Sequence, residues 1–149
     1  MQRLYLDTTV PSAYIDPRAP ERQRLTREFW DERMSAYEPA ISALVLGEIR
    51  DTPDADKRRQ LEALVGSFPV LTMSAAAEAL ADEYVGRGAI RGRFRDDALH
   101  VAIAVTHHVL LMASWNFRHL VNLQIRRQIN LINRLLGYNQ IEIVSPPEL

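Results

Sequence analysis

Five acidic or amide side chains in this 149-residue chain stand where chemistry gathers in an α/β protein. Asp7 follows Leu4-Tyr5-Leu6, and Asn116 follows the apolar run that ends at Ala113-Ser114-Trp115. Glu48 lies in a short helix after the second strand, and Asp96 and Asp97 open a long apolar helix. In open α/β sheets the carboxyl ends of strands, where loops and helix N-termini meet, form the reactive crevice. Several carboxylates facing one crevice repel one another unless a cation or protons neutralise them. Oxygen-only donors of this kind suit Mg²⁺ or Mn²⁺ better than zinc. Each residue also has a plainer role open to it. Asp7 can cap a helix starting at Thr8, and Asp96 and Asp97 can complement a helix dipole. Glu48 is flanked by Leu46, Gly47 and Ile49 in a segment apolar from Ala43, so a partner is required if it is buried.

The elements that must position these groups follow from the apolar pattern. Strands are expected at Arg3–Asp7, Pro39–Ser42, Pro69–Thr72, Val109–Ala113 and Ile141–Val144. Helices are expected at Thr8–Ile15, Pro20–Ala36, Ala43–Asp51, Asp54–Val65, Ser74–Gly86, Asp96–His108 and Val121–Leu136. Strands separated by helices predict an α/β fold, with a parallel sheet covered on both faces. No repeat or linker divides the chain, so residues 1–149 are expected to form one domain. Phe29, Trp30 and Met34 in the second helix are expected in the core.

Composition narrows the chemistry. The chain has no cysteine, which excludes disulfides, thiolate nucleophiles, zinc fingers and iron–sulfur sites. Its formal charge is -1, so no global field draws it onto nucleic acid. All 18 basic residues except Lys57 are arginines, the side chain that forks onto phosphate and carboxylate. The segment Gly86–Arg95 holds Arg87, Arg91, Arg93 and Arg95 among three glycines and Phe94, directly before Asp97. It reads equally as a phosphate-binding loop and as a solvated loop whose arginines pair with Asp82, Glu83 or Asp96. Arg118 is a second candidate phosphate contact, whereas Arg126 and Arg127 are expected on a solvated helix face. The four histidines carry no complete metal set, and a structural hydrogen bond is the expected role of His119. The segment Ala98–Trp115 is interrupted by His100, Thr106, His107 and His108, so no membrane span is expected. The N-terminus reaches Asp7 too soon for a signal peptide, which makes the cytoplasm the expected location.

Four segments carry a resemblance. Tyr5-Leu6-Asp7-Thr8-Thr9, Leu44–Ile49, Asp97-Ala98-Leu99-His100-Val101-Ala102-Ile103-Ala104 and Ser114-Trp115-Asn116-Phe117-Arg118-His119-Leu120 resemble the PIN-domain family in order and over the whole chain. Within it they are most similar to VapC-like toxins of bacterial type II toxin–antitoxin systems. The resemblance implies a three-layer α/β/α sandwich around a parallel sheet and Mg²⁺- or Mn²⁺-dependent endoribonuclease activity. By position it implies Asp7, Glu48 and Asp97 as metal ligands and Thr9 and Ser114 as hydroxyls beside the metal. Asn116 stands where many members carry a fourth Asp. It keeps a carbonyl oxygen but removes a charge, which leaves open an inactive PIN module that binds RNA or protein without cutting. RNA contacts are expected from Arg91, Arg93, Arg95 and Arg118, and the implied partners are RNA, a second copy and an antitoxin protein.

Overall fold

The computed structural model describes residues 1–149. Five strands, β1 (Gln2–Leu6), β2 (Tyr37–Ser42), β3 (Val70–Leu71), β4 (Leu111–Ala113) and β5 (Glu142–Val144), form one sheet in the order β3-β2-β1-β4-β5. Every pairing is parallel. The central β1 is apolar and wholly buried at Leu4, Tyr5 and Leu6, as a strand covered on both faces must be.

Seven α-helices connect the strands: α1 (Thr9–Ile15), α2 (Pro20–Glu28), α3 (Ala43–Arg50), α4 (Ala55–Val65), α5 (Ala75–Gly86), α6 (Arg95–Thr106) and α7 (Leu123–Leu135). The chain steps outward from β1 to β2 to β3, then returns across the sheet to β4 and β5. Right-handed crossovers therefore place α1–α4 on one face and α5–α7 on the other. The packing agrees, with α1 against α2 and α4 in one layer and α5 against α6 and α7 in the other. The strand order reverses between β1 and β4, which opens a crevice at their carboxyl ends. Asp7 and Ser114 are the first residues beyond those two strands.

Four helices start on a side-chain cap, and the expected starts at Asp54 and Ser74 are two of them. The Asp54 carboxylate accepts from the amides of Asp56 and Lys57, and the Ser74 hydroxyl accepts from the amide of Ala77. Ser42 does the same for α3 and Asn122 for α7. In α6 the eight residues Ala98–Val105 are all buried, so the helix is surrounded by protein.

Two expected boundaries are corrected. The helix expected over Pro20–Ala36 is regular only to Glu28, and a π turn (Phe29–Arg33) and a 3₁₀ turn (Met34–Ala36) follow. Five residues of α-helix would turn Met34 about 140° away from Phe29. The wider π turn brings both into the core, where Phe29 and Met34 are buried. Trp30 is only half-buried, packed between the rings of Tyr14 and Phe68. The strand expected from Val109 starts at Leu111, because the chain is still closing α6. His108 takes a left-handed φ of 59°, and the amide of Val109 donates to the carbonyl of Ala104 at 2.9 Å. Gly137, at φ 82°, closes α7 in the same way without a side-chain penalty.

Candidate active site

At the switch point, Asp7 is buried and held by hydroxyls from both adjoining strand ends. Thr9 Oγ1 and Ser114 Oγ each donate to it at 2.5 Å, one to each carboxylate oxygen. The amide of Thr9 adds a third donor at 3.0 Å. The two hydroxyls in turn accept from the amides of Trp115 (2.8 Å) and Asn116 (3.0 Å). Each hydroxyl thus spends its only proton on Asp7 and its lone pairs on the turn after β4. Burial pushes the Asp7 carboxyl above its ordinary range, and the charge of His100 and the Ser114 and Thr9 donors offset this only in part. Asp7 is therefore both the local cap and a strongly desolvated acid.

Glu48, one turn into α3, is half-exposed at its side chain and has the partner its position demanded. Its Oε1 accepts from Thr8 Oγ1 at 2.8 Å and from His100 Nε2 at 2.6 Å. Burial alone would raise this carboxyl; the hydrogen bond and charge of His100, with the bond from Thr8, hold it below the usual range. His100 lies on α6, three residues after Asp97, with its ring buried. Its Nδ1 lies 2.7 Å from Tyr5 Oη, which lies 2.8 Å from Ser42 Oγ. Burial would lower the imidazole, yet the Glu48 hydrogen bond and the charges of Asp7, Glu48 and Asp97 raise it above its ordinary value. Of the three acids, Glu48 is the one in direct contact with the imidazole.

Asp97, in the first turn of α6, is braced by a second histidine. His119 Nδ1 lies 3.1 Å from Asp97 Oδ2. Burial raises the Asp97 carboxyl, opposed by His119, by His100 and by the side chain of Asn116. The Asn116 carbonyl accepts from the amide of His119 at 3.0 Å and closes its own turn. The Asn116 side-chain oxygen is thus engaged within its own turn. Asp96 is exposed and stays apart from these contacts.

As the side chains lie, no three His, Asp or Glu groups gather at metal-ligand spacing. The donor chemistry nevertheless fits a hard cation. Asp7 is buried without a cationic hydrogen-bond partner, while Glu48 Oε2 and Asp97 Oδ1 accept no hydrogen bond.

The arginine-rich segment divides. Arg95 pairs with Asp82 and Arg87 with Glu83, both at 2.8 Å, so these two follow the solvated-loop reading. Ala89 and Ile90 are buried and anchor the segment to the core. Arg91, Arg93 and Arg118 form no ion pair and line a cavity of about 460 Å³ with Phe94 and His119. The Phe94 and His119 rings lie 3.9 Å apart between centroids. A larger cavity of about 660 Å³, lined by Glu48, Asn116, Arg118, Arg22 and Phe117, lies on the other side. Arg118 borders both.

Comparison with solved structures gives the same architecture. The chain is similar to VapBC2 from Rickettsia felis, solved bound to a DNA fragment from their promoter. That match has a TM-score of 0.57 and 14% identity, covering 95% of this chain and 97% of that one. It is also similar to VapC20 of Mycobacterium tuberculosis, a Sarcin-Ricin loop cleaving toxin. There the TM-score is 0.57 and the identity 19%, over 78% of this chain and 92% of that one. The chain has a PIN-domain, VapC-like fold. No family model and no curated protein matches the sequence.

Of the residues expected at the crevice, Asp7, Thr9, Ser114 and Asn116 share one hydrogen-bonded network, Glu48 is tied to Thr8 and His100, and Asp97 is braced separately by His119. Sequence reasoning missed His100, Thr8 and Arg22. His100 stood in the resembling segment and among the four histidines that make no complete metal set, but nothing in the sequence paired it with Glu48. Thr8 was hidden behind Thr9, and Arg22 lies in a charged helix with no local signal. Arg126, expected in solvent, donates instead to the carbonyl of Ile143 at 2.9 Å and helps cap the open edge of β5. No helix is long and apolar enough to cross a membrane.

Proposed function

We propose that this chain is a divalent-cation-dependent endoribonuclease, the toxin of a type II toxin–antitoxin pair. The observation that carries this reading is the set of three acids at the switch point, each held by its own partners: Asp7 by Thr9 and Ser114, Glu48 by Thr8 and His100, and Asp97 by His119. The unpaired Arg22 and Arg118 line the cavity beside Glu48. Carboxylates facing one crevice repel one another unless positive charge offsets them, and Asp7 has no cationic hydrogen-bond partner. Mg²⁺ or Mn²⁺ is the proposed cofactor. Asp7, Glu48 and Asp97 would hold it, and when bound it supplies an activated water and charge stabilisation at the scissile phosphate.

The chain's own residues have distinct roles. Thr9 and Ser114 keep the Asp7 carboxylate in one orientation. His100 and Thr8 do the same for Glu48, and His119 and Asn116 for Asp97. Arg91, Arg93 and Arg118 offset the acidic crevice by attracting the RNA backbone, the electrostatic part of nucleic-acid affinity. Arg95, engaged by Asp82, contributes by fixing the segment to α5 rather than by reaching substrate. An antitoxin protein and a second copy of the chain are the proposed protein partners, and the cytoplasm the proposed place of action.

The test is cleavage of RNA by purified protein with Mg²⁺ or Mn²⁺, beside an Asp7→Ala/Asp97→Ala double variant. Cleavage that needs the cation and vanishes in the double variant supports the reading; cleavage that survives in the variant removes it. A second reading, an RNA- or protein-binding module without cleavage, is favoured by Asn116, whose carbonyl closes its own turn. RNA binding without cation-dependent cleavage by the wild type selects that reading.

A further inference from the structure

The larger cavity contains a cluster that takes no part in holding the three carboxylates. Arg22, exposed on α2, holds its guanidinium carbon 5.4 Å from the Trp115 ring centre and 5.3 Å from that of Phe117. The two rings meet edge to face, with centroids 5.8 Å apart. None of the protein's ion pairs includes Arg22. Trp115 is buried, but Phe117 remains 45% exposed, an unusual position for a large apolar ring.

The arrangement is rigidly built. The Trp115 indole N–H donates to Thr26 Oγ1 at 2.8 Å, and Thr26 Oγ1 donates to the carbonyl of Arg22 at 2.6 Å. This ties α2 to the turn after β4 and sets Arg22, one helical turn before Thr26, over the rings. Asp16, the other acid facing this cavity besides Glu48, is already paired with Arg18 at 3.0 Å. The cavity therefore offers an aromatic face, two unpaired guanidinium groups (Arg22 and Arg118) and a direct opening to Glu48 and Asn116.

We infer that Phe117 and Arg22 form a nucleobase subsite for single-stranded RNA, placed beside the acidic centre. This rests on the ribonuclease reading and deepens it. A half-exposed ring with one guanidinium over it and a second lining the same cavity matches an unpaired base and its flanking phosphates. A base within a duplex hides both faces by stacking, so the subsite selects unpaired nucleotides. The size of the cavity, about 660 Å³, lies within the range of roughly 300–1,000 Å³ that small-ligand sites occupy. Because Arg118 borders both cavities, a strand stacked on Phe117 passes Glu48 and Asn116 and leaves toward Arg91 and Arg93.

The experiment measures fluorescence anisotropy of a labelled single-stranded RNA in chelator, so that no cleavage intervenes. Phe117→Ala is expected to weaken binding about ten-fold, the loss typical of one stacked base. Phe117→Trp should restore it, which a merely structural role at this exposed position would not require. Arg22→Ala should weaken binding and lower the slope of log affinity against log salt by about one. A strand with abasic sites and the same sequence as a duplex should both bind more weakly than the single strand. Equal binding by wild type and Phe117→Ala overturns the subsite, as does duplex RNA binding as tightly as single strands. If the wild type cleaves RNA with Mg²⁺ yet Phe117→Ala binds normally, the subsite alone fails. If binding depends on Phe117 but no cation elicits cleavage, the nuclease reading fails and the subsite stands.

Discussion

His100 Nε2 lies 2.6 Å from Glu48 Oε1, joining side chains 52 residues apart in sequence. A carboxylate oxygen only accepts, so Nε2 carries the proton. Nδ1 then either accepts from Tyr5 Oη or, when the ring is protonated, donates to it, with Ser42 completing the chain. This buried chain fixes Glu48 whatever the charge on the ring.

The pair makes stability depend on pH in a defined direction. His100 is held above its ordinary value, so its contribution is complete below about pH 6.5 and is lost as pH rises through the elevated value. Glu48 is held below its ordinary value, so its contribution is present above about pH 4.3 and lost as pH falls through the lowered value. The stability gap between wild type and His100→Gln should therefore be widest at roughly pH 5–6.5 and narrow on both sides. Urea unfolding in chelator across this range measures it, and a gap independent of pH contradicts it.

Asp7→Asn should separate stability from activity. Burial raises the Asp7 carboxyl, so its ionisation opposes folding increasingly as pH climbs from the ordinary carboxylate value to the elevated one, and by a constant amount above that. At neutral pH without metal the variant is expected to be more stable than wild type, while RNA cleavage is lost. Thermal unfolding and a cleavage assay on one preparation decide it. A destabilised variant would show that the Thr9 and Ser114 bonds outweigh the desolvation.

Cation binding should be visible without activity. Mg²⁺ or Mn²⁺ at a hundred times its Kd stabilises a folded protein by about 2.7 kcal/mol. For a chain of this size that raises Tm by roughly 5–10 °C. The rise is expected in wild type and absent in the Asp7→Ala/Asp97→Ala variant, by differential scanning fluorimetry. An equal rise in both would place the cation elsewhere.

Ser114→Ala removes a buried hydroxyl that donates to Asp7 and accepts from the amide of Asn116. Leaving that amide without its acceptor should cost about 1–3 kcal/mol, and cleavage should fall because Asp7 loses an orienting donor. Chemical denaturation and a cleavage assay report the two effects.

Tyr84→Phe tests the far side of the fold. The buried Tyr84 hydroxyl donates to Asn133 Oδ1 at 2.5 Å and joins α5 to α7, and Asn133 Nδ2 has no partner. Removing the hydroxyl should cost about 1–3 kcal/mol and leave RNA binding unchanged. A change in RNA affinity would link this layer to the crevice.

The short-range features were readable because their causes are local. Asp54 and Ser74 cap helices through amides two or three residues away, and the apolar runs of β1 and α6 follow from burial on both sides. The acids at strand ends were also legible, since strand termini and an α/β alternation point to one crevice. The π turn at Phe29 was not, because α-helical periodicity takes the period for granted and only the packing of Phe29 and Met34 sets it.

Sequence alone thus determined the class of fold, the order of its elements and the placing of Asp7 at a strand end, Glu48 in α3 and Asp97 in the first turn of α6. Tertiary structure decided the strand order, and with it every contact across the crevice. His100 met Glu48 and Tyr5 because α6 packs beside β1 and α3. Arg22 met Trp115 and Phe117 because a hydrogen bond from Trp115 to Thr26 ties α2 to the turn after β4. Such pairings join residues tens of positions apart, and neither periodicity nor capping carries information over that distance. The same holds for charge: a near-neutral sum became an acidic centre and an arginine rim only when the chain folded.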